Sequence, residues 1–558
     1  MLRRVWEAVS LGGDSLMKYI QVKASYLALV FLALASAAAT QAQSAGPAIA
    51  PAQSCADLTK LQIPGFGMTI TKAQEVPAAA PGTIRPSQFG DTIQVAVPAY
   101  CRADGVIDPR TGLDGKHYGI EFAIALPDQW NGRFLFQGGG GLNGNVGAPF
   151  GTQAAGAAPA LTRGFAVVST DTGHEGAVFD SSFMKDQLAA LDFAYIAVGR
   201  VAVLAKQIIA SYYGQPAKHS YFDGCSTGGR EAMLMSQRYP TYFDGIISGD
   251  PAMETGYSNI GLSLARRAFD EIAPKGPDGK SDPTKDFSSS DKKLIADAIL
   301  KACDEKDGLK DGMIFNRAAC QFDPAVLKCS GAKSDSCLSA EQVNALQVAF
   351  GGPKDSRGEQ VYPRFPYDAD MVVEPKMPGF VLSFLPMPGP NILGNVLPPN
   401  ESIEQQVAGV RADAEQILAD TASWTDLNSF SQHGGKLIFY HGTSDPWFSF
   451  LDTLGYYKRL GKDNGGMDQV QTWSRFFLVP GMSHCMGGAA TLDDFDMLTA
   501  IVDWVESGKS PEFVVATGKS LPGRSRPLCA YPKYARYKGA GDPEKAESFE
   551  CVTGDPVQ

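Results

Sequence analysis

The chain has 558 residues, of which 44% are hydrophobic, and it carries a formal net charge of −11. Because single hydrophobic cores seldom grow beyond about 250–300 residues, this length predicts two domains. The acidic balance gives no attraction for nucleic acid or for anionic lipid, so we expect neither as a partner.

The chain begins with a segment that is typical of an export signal. Lys18 and Lys23 precede an apolar run at residues 26–35, and small residues follow it up to residue 42. The run is short for a membrane span, which favours a signal peptide at residues 1–42 over an uncleaved membrane helix. Residues 1–16 are charged and unpatterned, so Met17 is an alternative start. We find no second long apolar run and expect a secreted or periplasmic protein without a membrane anchor.

Strand-like runs alternate with helix-like stretches on both sides of a long central region. The strand-like runs are 119–126, 133–137, 165–170, 220–223, 245–248, 436–440 and 475–479, and the helix-like stretches include 192–212 and 494–507. This alternation predicts an α/β fold with a doubly wound, mainly parallel sheet. The strand rhythm disappears in the central region, where Pro, Gly, Asp and short helical stretches dominate. We therefore predict one domain from residues 43–250 and 436–558, interrupted by a second at 251–435.

A glycine-rich turn, Gly-Gly-Gly-Gly-Leu-Asn-Gly at residues 138–144, follows the second of these strand-like runs. Glycines allow a backbone to approach a bound group closely, and the N–H of Gly141 is our candidate for one donor of an oxyanion hole. A flexible turn is the alternative. A phosphate loop is less favoured because no Gly-Lys-Ser/Thr ending follows.

The heptapeptide Gly-Cys-Ser-Thr-Gly-Gly-Arg at residues 224–230 lies between a strand-like run and a helix-like stretch at 231–238. Strand, sharp turn and helix form the setting of a G-x-S-x-G nucleophile elbow, which presents its serine at the positive end of a helix. Ser226 is the predicted nucleophile, and the N–H of Thr227 is the second predicted oxyanion donor. A bare G-x-S-x-G also occurs in ordinary loops, but this setting indicates a serine hydrolase.

Residues 304–313, inside the central region, combine aspartates with two Asp-Gly pairs. The carboxylates of Asp304, Asp307 and Asp311 and the carbonyls of Leu309 and Met313 are hard oxygen ligands, which calcium prefers. The spacing differs from that of an EF-hand and lacks the glutamate at position 12. On the pattern alone, a series of Asp-Gly turns explains the segment equally well.

A nucleophile elbow predicts an acid and then a histidine later in the chain. Only His433, His441 and His484 follow Ser226. The first precedes a strand and the second closes it, so both are interpreted as structural, whereas His484 lies in a loop after the last predicted strand. Asp445 follows the previous strand, where it would hold the imidazole in the tautomer that accepts the serine proton. An Asp-Pro turn is the alternative interpretation of Asp445.

The positions of the ten cysteines suggest five disulfides. Cys225 directly precedes the predicted nucleophile and Cys485 directly follows the predicted base, so a bond between them would tie the two loops together. The other suggested pairs are Cys303 with Cys320, Cys329 with Cys337, Cys55 with Cys101, and Cys529 with Cys551. Sequence alone does not fix this connectivity. A zinc cluster is disfavoured because the chain contains no C-x-x-C pair.

The Cys-Ser-Thr-Gly-Gly-Arg elbow, the Asp445 loop and the adjacent His484 and Cys485 resemble the CS-D-HC arrangement of the tannase and feruloyl esterase family. The similarity extends from about Cys55 to the C-terminus and includes Trp-Asn-Gly-Arg-Phe at residues 130–134 and Ala-Arg-Tyr-Lys-Gly at 535–539. Several motifs in the right order are more specific than any one of them.

The resemblance implies a fold and a chemistry. The fold is an α/β-hydrolase catalytic domain, residues 43–250 and 436–558, with residues 251–435 inserted as a lid between the nucleophile and the acid. The activity is that of an esterase acting on aromatic carboxylic esters. A structural calcium ion is implied at the 304–313 loop, and no organic cofactor is expected.

A small aromatic ester is therefore the expected substrate. Trp447 and Phe448, directly after Asp445, are predicted pocket walls, although aromatic residues near a strand end also occur in cores. Residues 381–388 are predicted to cover the site. Residues 365–410 contain Lys376 but no arginine, whereas the terephthalate monoester hydrolases of this family use a lid arginine. Feruloyl or galloyl esters are thus favoured over a terephthalate monoester, and a secreted serine peptidase is a less favoured alternative.

Overall fold

The computed structural model describes residues 48–371 and 401–557, except residues 88, 89, 114, 278, 280, 283, 284 and 556. Three sequence predictions lie outside this part of the chain. They are the signal peptide at residues 1–42, Lys376, and the covering segment at residues 381–388.

A nine-stranded mixed sheet runs through the protein in the order β1-β2-β3-β5-β4-β6-β7-β8-β9. Its strands are β1 (Met68–Val76), β2 (Tyr100–Thr111), β3 (His117–Pro127), β4 (Arg133–Gln137), β5 (Ala166–Thr170), β6 (His219–Cys225), β7 (Gly245–Gly249), β8 (Lys436–Gly442) and β9 (Ser474–Val479). The β5-β4-β6-β7-β8-β9 pairs are parallel, and β1, β2, β3 and β5 pair antiparallel. The predicted α/β class and the mainly parallel sheet are confirmed.

Two smaller sheets and a set of helices complete the described chain. The strands are β10 (Asp494–Phe495), β11 (Phe513–Thr517), β12 (Arg526–Cys529), β13 (Lys533–Tyr537) and β14 (Phe549–Thr553). The α-helices are α1 (Gln187–Leu191), α2 (Ala197–Tyr213), α3 (Thr227–Gln237), α4 (Thr255–Ile272), α5 (Ser289–Cys303), α6 (Ala340–Gly351), α7 (Ile403–Ala412), α8 (Ala414–Ala419), α9 (Asn428–Gln432), α10 (Phe450–Asp463), α11 (Met467–Val470) and α12 (Met497–Ser507). Short 3₁₀ helices span Cys55–Lys60, Ala160–Arg163, Ser182–Lys185, Asp304–Asp307, Arg317–Ala319, Pro324–Leu327, Ala369–Met371 and Ala546–Ser548.

The central strands are buried on both faces, as expected for parallel strands covered by helices. Alternate residues of β4 point to opposite faces of the sheet. Phe134 and Phe136 therefore pack into the core that contains α2, whereas Leu135 packs into the core that contains α12. Both faces of these central strands are covered, so their polar groups are accessible mainly at the strand ends.

One predicted helix begins later than expected, and another is longer. Residues 494 and 495 form β10, and α12 begins only at Met497 because Asp496 caps it by accepting the N–H of Thr499. The helix predicted at residues 192–212 is longer because α1 precedes it and continues through a π-helical turn at Asp192–Ile196 into α2.

The expectation of no second long apolar run was wrong, because such a run contains the helix predicted at residues 192–212. Gln187–Tyr213 is long and apolar enough to cross a membrane, and an 18-residue window within it has a mean hydropathy of 1.8. In the fold, 67% of that window is buried inside the protein, where α2 packs against the sheet. Its apolar composition is therefore explained by its position in the core.

The described residues between β7 and β8 form helices and loops, although these two strands are neighbours in the sheet. These residues contribute no strand to the nine-stranded sheet. Helices α4, α5 and α6 share a separate core that contains Phe269, Ile299, Leu346 and Phe350. The predicted boundaries of this region, residues 251 and 435, stay a prediction.

Candidate active site

Ser226 lies in a tight turn between β6 and α3. Its backbone adopts φ 64° and ψ −122°, an unfavourable region for a residue with a side chain. Glycines make the turn possible, because a Cβ at Gly224 would lie 2.5 Å from the Gly228 carbonyl oxygen. The Ser226 N–H donates to the Gly249 oxygen at 3.0 Å, which ties the turn to the end of β7. The elbow geometry predicted from the sequence is thus present.

Asp445 and His484 meet at the carboxyl ends of β8 and β9. His484 Nδ1 lies 2.7 Å from Asp445 Oδ2, and both side chains are buried. The remaining ring nitrogen, Nε2, is buried and has no hydrogen-bond partner among the described residues. Since the carboxylate must accept from Nδ1–H, the neutral imidazole presents Nε2 as a proton acceptor.

The carboxylate of Asp445 is held on both of its oxygens. Oδ1 accepts the N–H groups of Trp447 at 2.8 Å and Phe448 at 3.1 Å. Burial raises the pKa of Asp445, but the facing imidazoles of His484 and His441 outweigh this effect and hold the pKa below its ordinary value. Asp445 therefore stays ionised, which suits a group that orients a histidine.

All five disulfides join the pairs suggested from the sequence. The bond between Cys225 and Cys485 spans 260 residues of sequence. It connects the residue before Ser226 to the residue after His484, so the two loops cannot separate. We call it the elbow disulfide.

Gly141 and Thr227, the predicted oxyanion donors, lie against each other. The Thr227 hydroxyl donates to the Gly141 carbonyl. Neither backbone N–H makes a hydrogen bond to another described residue, and Thr227 occupies the first turn of α3, where such groups are left over by the helix. Gly141 has φ 58°, and a Cβ there would lie 2.5 Å from the Val178 oxygen, so a glycine is required.

A residue that was not predicted from the sequence stabilises this glycine turn through hydrogen bonds. Glu231 in α3 is fully buried and accepts the Gly139 N–H at 2.9 Å and the Asn143 side-chain amide at 2.7 Å. Burial raises the pKa of Glu231, although the neighbouring Arg230 opposes the rise. A glutamate one helical turn after a G-x-S-x-G motif was the available signal, because that position faces back toward the strand ends.

Aromatic side chains surround the imidazole of His484. The ring centroids of Trp447 and Phe448 lie 4.7 Å and 5.4 Å from it. Phe179, which the sequence did not single out, packs edge-on against Trp447 at 6.3 Å. Phe448 is buried, whereas Trp447 and Phe179 are partly exposed. Trp447 and Phe448, the predicted pocket walls, therefore lie against the His484 imidazole.

The predicted calcium loop gathers its three aspartates inside the loop closed by Cys303 and Cys320. Asp304 and Asp307 are buried and accept backbone N–H groups of the loop. Burial raises the pKa of Asp307 to about 7, and the neighbouring Asp311 adds to the rise, although the hydrogen bond from the Phe315 N–H lowers the pKa. Burying such charges is costly unless a cation offsets them.

The remaining predicted ligands lie in the same loop. The N–H groups of Leu309 and Met313 donate to Asp307 and Asp311. Asp311 is already paired with Arg526 and lies 3.5 Å from Arg524. The carboxylates of Asp304 and Asp307 are therefore the main oxygen ligands that this loop offers to a hard cation. The calcium ion stays a prediction.

We expect calcium removal to lower the melting temperature by a few degrees while folded molecules keep their activity, because a ligand of the native state stabilises it by mass action. Asp307→Asn should abolish this calcium-dependent shift. Asp297→Asn, which changes an exposed aspartate of α5, is the matched control. Differential scanning calorimetry with and without chelator provides the measurement. Loss of turnover on chelation at an unchanged melting temperature would instead reveal a catalytic metal.

Two further residues lie next to the site, although the sequence did not place them there. Asp250, the residue directly after β7, was not considered, although its strand ends at the same edge of the sheet as those carrying Ser226 and Asp445. His441 was interpreted as structural, yet its Nε2 lies 3.5 Å from Asp445 Oδ2. His433 lies in a turn after α9, as expected.

Known proteins resemble this chain over most of its length. It matches the family model described as tannase and feruloyl esterase at residues 101–382 and 400–552. It is 38% identical to a mono(2-hydroxyethyl) terephthalate hydrolase from Piscinibacter sakaiensis, over 82% of this chain and 85% of that protein. A probable feruloyl esterase B-1 from Neosartorya fischeri is 30% identical over 76% of this chain and 82% of its own length. The crystal structure of feruloyl esterase B from Aspergillus oryzae has a TM-score of 0.72 and 27% identity, covering 89% of this chain and 99% of that one.

Proposed function

Because the chain belongs to the tannase and feruloyl esterase family and is therefore a carboxylic ester hydrolase, we propose that it works as a serine esterase on aromatic esters. Ser226 is the nucleophile, His484 the general base and Asp445 the residue that orients the base. The single observation that carries this proposal is the 2.7 Å contact between Asp445 and His484, which leaves a buried Nε2 without a partner.

The reaction is a two-step acyl transfer. His484 Nε2 takes the proton from the Ser226 hydroxyl as its oxygen attacks the ester carbonyl, and then gives this proton to the departing alcohol. Water, activated by the same nitrogen, hydrolyses the acyl-enzyme and releases the acid. Asp445 remains ionised throughout and stabilises the imidazolium.

The oxyanion of each tetrahedral intermediate is held by the N–H groups of Gly141 and Thr227. Both groups are free of other partners in the described chain. Fixed donors of this kind are worth about 10²–10³ in turnover apiece. No step requires an organic cofactor.

An aromatic acyl group is the substrate class that we favour. Trp447 lies beside the imidazole and Phe179 packs against Trp447, and both are partly exposed, so they offer flat apolar surfaces for a ring. Feruloyl and galloyl esters are the first candidates, in keeping with the names of the related feruloyl esterases. A terephthalate monoester is the second candidate, because a relative with 38% identity carries the name of a hydrolase for such a compound.

A substrate screen tests this proposal. Purified protein should be assayed with methyl ferulate, methyl gallate, mono(2-hydroxyethyl) terephthalate and an aliphatic ester of similar size, with a chromogenic peptide to test the peptidase alternative. We expect kcat/KM for at least one aromatic ester to exceed that for the aliphatic ester by tenfold or more, because an apolar pocket distinguishes substrates by about 1–3 kcal/mol per matched group. Equal rates on all the esters would contradict the aromatic pocket.

We further propose that residues 251–435 act as a lid. Contacts near the end of its first described part support this role. Asp368 accepts the hydroxyl of Thr443 at 2.6 Å, and Asp370 accepts the N–H of Ala490 at 2.8 Å. The inserted region is thus anchored beside the two loops that carry the acid and the base.

Secretion or export to the periplasm is the location that we propose. The five disulfides require an oxidising compartment. The signal-like residues 1–42 would provide the route, and the negative charge gives no reason to expect binding to nucleic acid or membrane.

A further inference from the structure

Asp250 connects the loop of the acid to the loop of the base. Its side chain is fully buried, and its Oδ1 accepts the N–H of Gly442 at 2.8 Å. Its Oδ2 accepts the N–H of Cys485 at 3.2 Å. This oxygen also touches the sulfur of Cys225 at 3.4 Å, a contact without a hydrogen bond because a disulfide sulfur carries no proton. The Asp250 carboxylate therefore contacts three places: Cys485, which follows His484; Gly442, which ends β8; and the sulfur of Cys225 in the elbow disulfide.

His441 lies between Asp250 and Asp445. Its Nε2 is 3.0 Å from the Phe448 carbonyl oxygen, 3.4 Å from Asp250 Oδ1 and 3.5 Å from Asp445 Oδ2. All three neighbours are acceptors, so Nε2 must carry a hydrogen. The other nitrogen, Nδ1, lies 2.9 Å from the Thr453 hydroxyl, which is able to donate or accept. Acid and imidazole thus alternate in the order Asp250, His441, Asp445, His484.

The charges in this row depend on one another. Burial raises the pKa of Asp250 to about 6, which His441 opposes and Asp445 reinforces. Burial lowers the pKa of His441, but Asp250 and Asp445 overcome this and raise it. Two buried carboxylates side by side are unfavourable without a positive or hydrogen-bonding partner, and His441 occupies the place of that partner.

From this geometry, which presupposes the proposed serine esterase mechanism, we infer that Asp250 and His441 are positioning residues of the hydrolytic reaction. Asp250 fixes the backbone on which His484 is carried and adds a second negative charge near its imidazole. His441 holds a ring N–H, which donates to the Phe448 carbonyl, within 3.5 Å of the Asp445 oxygen that faces His484. Neither residue exchanges a proton in the reaction: the proton moves from Ser226 Oγ to His484 Nε2 and on to the alcohol.

Other titratable groups also face this row. Asp452 of α10 lies near His441, Tyr440 of β8 lies near Asp250, and Tyr362 of the inserted region lies near Asp445. Burial raises the pKa of each of the three groups. Asp250 and Asp445 are the two carboxylates of this row whose pKa the His484 imidazole lowers.

Asp250→Asn tests the inference, because the amide keeps the size and one acceptor but removes the charge. We expect kcat to fall by about tenfold with KM within about twofold, since small displacements of catalytic groups cost up to ~10²-fold. The acid limb of the kcat/KM profile should move to lower pH by about half a unit, because the imidazolium loses a neighbouring anion. Asp286→Asn, at another buried aspartate away from the site, should lower the melting temperature without moving the profile.

Combination with Asp445→Asn separates positioning from simple stabilisation. If Asp250 acts through the base, the double variant should lose much less than the product of the two single losses. An unmoved acid limb, or multiplicative losses, would overturn the inference. The activity of Ser226→Ala tests the proposed serine esterase mechanism separately, because that result does not depend on the role of Asp250.

His441 provides a second test if Asp250→Asn does not fold. His441→Gln retains an N–H donor, whereas His441→Leu has similar volume and no donor. We expect the glutamine variant to keep at least tenfold more kcat than the leucine variant at comparable melting temperatures. Equal activities would show that His441 only fills space, and would overturn its part of the inference.

Discussion

Replacing Ser226 or His484 with alanine is expected to lower kcat for ester hydrolysis by about 10⁶-fold, because members of a catalytic triad act as a unit. The two single variants and the double variant should therefore have nearly the same residual activity. Stopped or continuous assays on the best ester of the screen would measure the loss. Circular dichroism should show a native fold for both variants. The melting temperature of Ser226→Ala should stay near that of the native enzyme, whereas His484→Ala also loses the 2.7 Å bond to the buried carboxylate of Asp445 and should melt lower.

Matched controls are available within the chain. Ser474 is a buried serine whose hydroxyl also lacks a described partner, and His433 lies in a surface turn. Ser474→Ala and His433→Ala should leave kcat within a factor of about two, as expected for changes away from the chemistry. Substantial hydrolysis by Ser226→Ala would refute the assignment of Ser226 as the nucleophile. Near-normal turnover by His484→Ala would refute the assignment of His484 as the general base.

Loss of the elbow disulfide is expected to have the next largest effect. Cys225→Ala with Cys485→Ala should reduce kcat by about 10²-fold, because a shift of about 1 Å between nucleophile and base is enough for such a loss. Removing a native disulfide also costs about 2–5 kcal/mol of stability in small domains. Assays well below the new melting temperature separate the kinetic effect from unfolding.

The disulfide between Cys329 and Cys337 provides the control. It joins two cysteines 8 positions apart within residues 251–435, away from Ser226 and His484 in the sequence. The double alanine variant at these positions should keep its turnover. If both double variants lost activity equally, the elbow disulfide would have no special role in positioning Ser226 and His484.

Sequence predicted the parts of this fold that have strong local signals. The strands β4 to β9 each contain adjacent apolar residues and are buried, as is typical of parallel strands, and their predicted bounds differ by two residues at most. The disulfide pairs followed from positions in the chain, and their pairing is confirmed. The family resemblance is confirmed by the comparisons. The catalytic roles of Ser226, Asp445 and His484 stay predictions that the geometry supports.

The missed elements have weak local signals. Strand β2 contains Ala-Asp-Gly-Val-Ile-Asp-Pro, a composition typical of turns, and becomes a strand only because β1 and β3 pair with it on both sides. Glu231, Asp250 and His441 owe their importance to groups far away in sequence. No local pattern identifies a carboxylate whose partners are the N–H groups of residues 442 and 485.

The elbow disulfide also has a consequence for biosynthesis. Cys225 is made 260 residues before Cys485, and the four cysteines of the inserted region emerge between them. Pairing in order of appearance would join Cys225 to Cys303 and trap the nascent chain in a wrong connectivity. The thiol of Cys225 must therefore stay reduced, or be reshuffled, until the last strand of the main sheet has docked. Maturation of this enzyme should accordingly depend on a disulfide isomerase, and production hosts should differ in yield according to their supply of one.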